Sequence, residues 1–293
     1  MRSVALLLLI TLSVADGAPQ RHGVFFWTLK REDVESLARH VPQLDGMRLA
    51  QLRQTFLDMQ CSGDNLRQEG FDHGKNLICT LPGSSADTIL FVAHYEHNGP
   101  GKSAIENWSG ATMLPFLYHA LMAAPRKHTF VFAELDGEAG ARAYLQSLSH
   151  IQRHNLKALV AVDALGLGSP SFYLRPNGNT LAPVEADLET TLQLAAREKG
   201  IEAPAAEIPG SWFKVDDTKQ FRYSNIPSIL IHSVDRGSRE VPGTEKDTLD
   251  AFNGDAYFST YTLLCYYIVE LDAMKTGDDE RASSSLSPSR GRR

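Results

Sequence analysis

The 293-residue chain carries 29 Lys and Arg against 35 Asp and Glu, a formal net charge of −6 with neutral histidines. That balance gives no electrostatic footing for nucleic acid or an anionic membrane as partner, and 43% apolar with 22% charged residues is globular rather than disordered composition. The length suits one large α/β domain and leaves little room for two.

In chain order, the first feature is a targeting segment. Arg2, the apolar run Val4 to Val14 and the small residues of Ala15-Asp16-Gly17-Ala18 have the layout of a signal peptide over residues 1–18. The run is too short to span a bilayer. A secreted or periplasmic protein, free of the membrane after cleavage, is expected. Residues 31–58 read as helical, with a break near Pro42 and Gly46. Cys61 and Cys79 flank a polar stretch before a strand, where export permits a disulfide. Strands are predicted at 76–81 and 88–94, separated by the turn Pro82-Gly83-Ser84-Ser85. A helix over 110–124 stops at Pro125.

Next come a strand at 128–134, a helix at 140–148 and the continuous apolar strand LKALVAVD at 156–163, which suits a strand covered on both faces. A short strand at 171–175, a helix at 184–200 with Gly at its end, the buried strand PSILIH at 227–232 and a long helix at 250–274 complete the domain. Cys265, inside LLCYYIV, reads as a buried free thiol. The polar, Ser-rich residues 275–293 read as a disordered tail. Strands alternating with helices predict an α/β fold with a mostly parallel mixed sheet and helices on both faces, over residues 19–274.

In such sheets functional groups gather at the carboxyl ends of strands. Four apolar strands here end in polar residues: His94 followed by Tyr95, Glu96 and His97; Glu134 followed by Asp136 and Glu138; Asp163; and His232. Between the first two lies the polar loop Ile105-Glu106-Asn107-Trp108-Ser109-Gly110, which opens a helix. One imidazole with several carboxylates at one sheet edge is a candidate zinc site with open positions.

Six stretches in order and spacing resemble the motifs of the family-28 metallopeptidases, zinc-dependent aminopeptidases whose relatives include the glutaminyl cyclases. They are His94-Tyr95-Glu96, Ile105 to Gly110, Gly137-Glu138-Ala139-Gly140, Val162-Asp163, Asp216 to Phe221 and Gly243 to Thr248. The resemblance spans roughly 75–270 and implies a zinc-exopeptidase-like three-layer sandwich. It implies that His94, Glu106 and Asp163 hold one zinc and that Glu138 is a ligand of a second. Glu96 stands where the family has an Asp that orients the first His, a role that fixes tautomer and ring angle. With the register shifted by one residue, Glu138 would instead be the base. The catalytic assignments are thus Glu138 and Glu96, and the metal assignments His94, Glu106, Asp163 and Glu138.

The departures from the motifs bear on activity. The family's general base falls on Gly137, and the late His of the second zinc falls on Gly243. A positioned base typically contributes about 10²–10⁴-fold in rate, and a Gly cannot take a proton from zinc-bound water. Two Asp positions have become Glu96 and Glu106, each longer by a methylene. One zinc is therefore expected and a second lacks its ligands, unless His97 or His232 replaces Gly243 and Glu134 or Asp136 replaces the base. The function the resemblance implies is hydrolysis of peptide N-termini by a zinc-dependent, aminopeptidase-like enzyme with a degenerate site, its substrate a peptide or small aminoacyl compound. The alternative is a catalytically inactive pseudo-peptidase that binds. The remaining motifs carry less: Gly99 to Ser103 fails the phosphate-loop spacing at Glu96, Asn107-Trp108-Ser109 reads as helix capping, and Trp108 and Trp212 read as packing or pocket wall.

Overall fold

A computed structural model describes residues 28–97, 99–174, 181–205 and 218–274. The expected signal peptide and tail lie outside these residues, as do Trp212 and Asp216. The chain begins with α1 (Arg31–Arg39) and α2 (Asp45–Asp58), the break falling at Pro42 as expected. A seven-stranded mixed sheet follows, built from β1 (Leu66–Phe71), β2 (Gly74–Leu81), β3 (Thr88–His94), β4 (Thr129–Leu135), β5 (Leu156–Val162), β6 (Ser171–Tyr173) and β7 (Ser228–His232), in the order β1-β2-β4-β3-β5-β7-β6. The central strands β4, β3, β5 and β7 are parallel, and antiparallel partners close both edges.

The central strands are buried along nearly their whole length. Each large apolar side chain removed from water there contributes about 1.5–3 kcal/mol. On one face, Tyr118 of α4 (Leu114–Met122) meets Phe132 edge-on, and Phe116 meets Tyr261 of α9 (Gly254–Asp272) in the same way. The opposite face carries α5 (Gly137–Ser147), joined to β2 through the Asn76 amide, which donates to the Gly140 carbonyl at 2.9 Å. α6 (His150–Asn155) starts on a Ser149 capping box and runs directly into β5. α7 (Pro183–Lys199) ends on Gly200 with φ of 64°. Cys61 and Cys79 form a disulfide joining the chain after α2 to β2, and Cys265 is a buried thiol whose pKa burial raises to about 12. Among the described residues no helix is long and apolar enough to cross a membrane.

Three elements depart from the sequence expectation. The strand β1, LRQEGF, is a polar edge strand that among the described residues pairs with β2 alone. The helix expected over 110–124 is two pieces, α3 (Trp108–Ala111) and α4, separated by Thr112 and Met113, which keep right-handed helical dihedrals; the Thr112 hydroxyl lies 2.8 Å from that of Tyr257 on α9. A single 3₁₀ turn, Leu249–Ala251, precedes α9, which starts on the side-chain cap of Asn253.

Candidate functional site

The carboxyl edge of the central strands carries the site. His94 ends β3, Asp163 follows β5 and His232 ends β7; all are at least nine-tenths buried. Glu106 arrives on the loop between β3 and α3, 1% exposed, ahead of a cis peptide bond to Asn107. This loop is held from two sides. The Asp247 carboxylate accepts hydrogen bonds from the backbone N–H of Ile105 (2.7 Å), Glu106 (3.2 Å) and Gly243 (3.1 Å). Burial raises the Asp247 pKa, and those backbone donors pull against the rise.

The other clamp is Arg48 of α2, which sequence reasoning passed over. Its guanidinium is fully buried and donates to five carbonyl oxygens, those of Pro42, Tyr95, Glu96, Lys102 and Ser103, at 2.7–3.4 Å.

The Arg48 guanidinium carbon also lies 5.4 Å from the centre of the Trp108 ring. Burial lowers the Arg48 pKa, opposed by the charges of Asp45, Glu96 and Asp247. A buried Arg signals a built network, but only the fold shows which carbonyls it serves.

The other assigned residues are placed as follows. Glu96 Oε1 lies 3.9 Å from His94 Nδ1, longer than a hydrogen bond between these two atoms. Glu138, near the start of α5, is half-exposed and ion-paired with Lys219 (3.2 Å) of α8 (Lys219–Tyr223) and Arg142 (3.4 Å). The four possible replacements have other engagements or environments. His97 Nε2 lies 3.0 Å from the Gly101 carbonyl, and the Asp136 carboxylate accepts from Lys75 N–H at 3.4 Å. His232 Nδ1 accepts from Val234 N–H at 3.2 Å, and burial lowers its pKa to about 4. Glu134 shares the face of β4 that carries Phe132. It is fully buried, neither carboxylate oxygen has a hydrogen-bond partner among the described residues, and burial raises its pKa well above the ordinary range.

The two glycines at the motif departures sit against the two lengthened carboxylates. A Cβ on Gly243 would lie 2.8 Å from Glu106 Oε2, and a Cβ on Gly137 2.9 Å from Glu96 Oε1. Both glycines have positive φ, 67° and 60°. A zinc ion requires at least three donors converging on one point. His94, Glu106 and Asp163 are suitable donor types, yet among the described residues no group of three or more His, Cys, Asp or Glu side chains could hold a metal ion. As the side chains stand, they do not fit the metal.

The profile of peptidase family M28 matches residues 76–268. The fold is similar to that of a zinc aminopeptidase from Bacillus subtilis (18% identity, TM-score 0.57, 68% of this chain and 50% of that one). It is also similar to the glutaminyl cyclase of Macrostomum lignano (19%, TM-score 0.66, 84% and 91%) and to that of Bacteroides thetaiotaomicron bound to N-acetylhistamine (14%, TM-score 0.66, 86% and 100%). The chain spans about half the length of the aminopeptidases from Bacillus subtilis and Aneurinibacillus that it matches. No curated protein matches the sequence.

Proposed function

Because the chain belongs to peptidase family M28, we propose that it recognises the amino-terminal end of a peptide at the carboxyl edge of its central strands and binds it without efficient hydrolysis. Family and fold support a metallopeptidase-type protein with a peptide ligand. The observation that carries the non-hydrolytic part is the state of the site: Glu138 is tied to Lys219 and Arg142, and the donor side chains do not converge; Gly137, where the resemblance puts the base, agrees with it. Carboxylates at this edge, Glu96, Glu106 and Asp163, have the sign that suits the α-ammonium of a peptide.

A second reading, slow zinc-dependent aminopeptidase hydrolysis, is favoured by membership of the family and would require the buried side chains of His94, Glu106 and Asp163 to turn onto one ion. One experiment separates the two. Calorimetric titration with short peptides bearing free or acetylated N-termini is paired with an aminoacyl-anilide hydrolysis assay in added zinc. Binding of free N-termini, weakened at least about tenfold by acetylation and without turnover, supports the first reading. Zinc-dependent turnover abolished by His94→Ala establishes the second, and neither binding nor turnover overturns both.

A further inference from the structure

Glu106 and Gly243 form one packing unit in this site. The Glu106 carboxylate reaches to 2.8 Å from where a Cβ of residue 243 would stand, Glu106 is 1% exposed, and its backbone N–H and that of Gly243 are bound by the same Asp247 carboxylate. Gly243 has φ of 67°, a region that resists any side chain, and a Cβ on Gly99 would lie 2.5 Å from the Gly243 carbonyl oxygen, so neighbouring backbone closes over this loop. The extra methylene of Glu106 and the missing side chain at 243 are therefore complementary in volume.

We propose that Glu106 occupies the space of the side chain absent at position 243, so that the loss of a donor there and the lengthening of Glu106 are one coupled exchange. Restoring a side chain at 243 alone meets both the Glu106 carboxylate and the left-handed backbone; shortening Glu106 removes the first obstacle and leaves the second. Glu96 over Gly137 repeats the arrangement at 2.9 Å, although Glu96 is less buried and has more room to move. This inference rests on the reading of the site as remodelled, but its test measures stability and metal uptake rather than peptide binding.

The test is a double-mutant cycle on the whole chain with Gly243→Ala, Glu106→Asp and the pair, followed by thermal unfolding. Gly243→Ala is expected to lower Tm by about 5 °C or more, and the drop in the Glu106→Asp background to be roughly half as large. Equal drops in both backgrounds overturn the coupling. As a second measurement, Gly243→His and Glu106→Asp/Gly243→His are dialysed against zinc and their bound metal counted. More zinc per chain in the pair than in the single variant is expected; equal uptake by both overturns the exchange. Peptide binding by the parent protein is unaffected by either outcome, so failure here is distinguishable from failure of the proposed function.

Discussion

Replacing Arg48 by Ala tests how the site loop is held. The substitution removes all five donors of a fully buried guanidinium and leaves the carbonyls of Pro42, Tyr95, Glu96, Lys102 and Ser103 to find other partners. An orphaned buried polar group costs about 1–3 kcal/mol. Water entering the vacated volume will serve some of the carbonyls, so the five do not add, and breaking such a buried charged network costs about 3–5 kcal/mol. That is a large part of the 5–15 kcal/mol that typically holds a domain together. Arg48→Lys keeps the charge but not the fork, so it recovers only part of the loss. Urea unfolding of the three proteins, with m-values compared, measures the difference. Hydrogen exchange over residues 95–108 should also rise in Arg48→Ala. A loss below about 1 kcal/mol for Arg48→Ala, with exchange unchanged, would refute the reasoning.

Reducing the Cys61–Cys79 disulfide, with a sequence separation of 18, should cost about 3 kcal/mol by loop entropy, read as a fall in the urea midpoint with and without reductant. Glu134 has a folded pKa raised by burial. Its carboxyl is protonated in both states below the unfolded value of about 4.3, and its burden on stability grows as pH rises above that value. Glu134→Gln should therefore stabilise the protein by about 1 kcal/mol or more at pH 7 and by little at pH 4, a trend that unfolding at the two pH values will reveal or deny. Asp272 behaves in the opposite sense: burial raises its pKa, but His128 and backbone donors outweigh that and lower it. Its contribution is present above the unfolded value and is lost as pH falls through the folded one, so Asp272→Asn should flatten the acid limb of the stability curve.

Much of the fold was legible in the residues. The runs ILFVA (89–93) and ALVAV (158–162) have no polar interruption, as suits strands covered on both faces, and the structure places them at the sheet centre. The polar β1 carried no such signal, since an edge strand buries little and takes its register from the partner. The break between α3 and α4 was equally hidden: the backbone stays helical through Thr112 and Met113, and the Thr112 hydroxyl meets Tyr257 of α9, a contact between residues far apart in the chain.

The candidate site divides in the same way. The order of His94, Glu106 and Asp163 along the chain, and the glycines at 137 and 243, are properties of the sequence alone. Whether the donors converge, where Glu138 turns, and that Glu96 and Glu106 reach over those glycines were decided by the tertiary structure. Residue type sets which bonds a side chain can make, but distances between segments far apart in the chain are set by the packing of the elements that carry them.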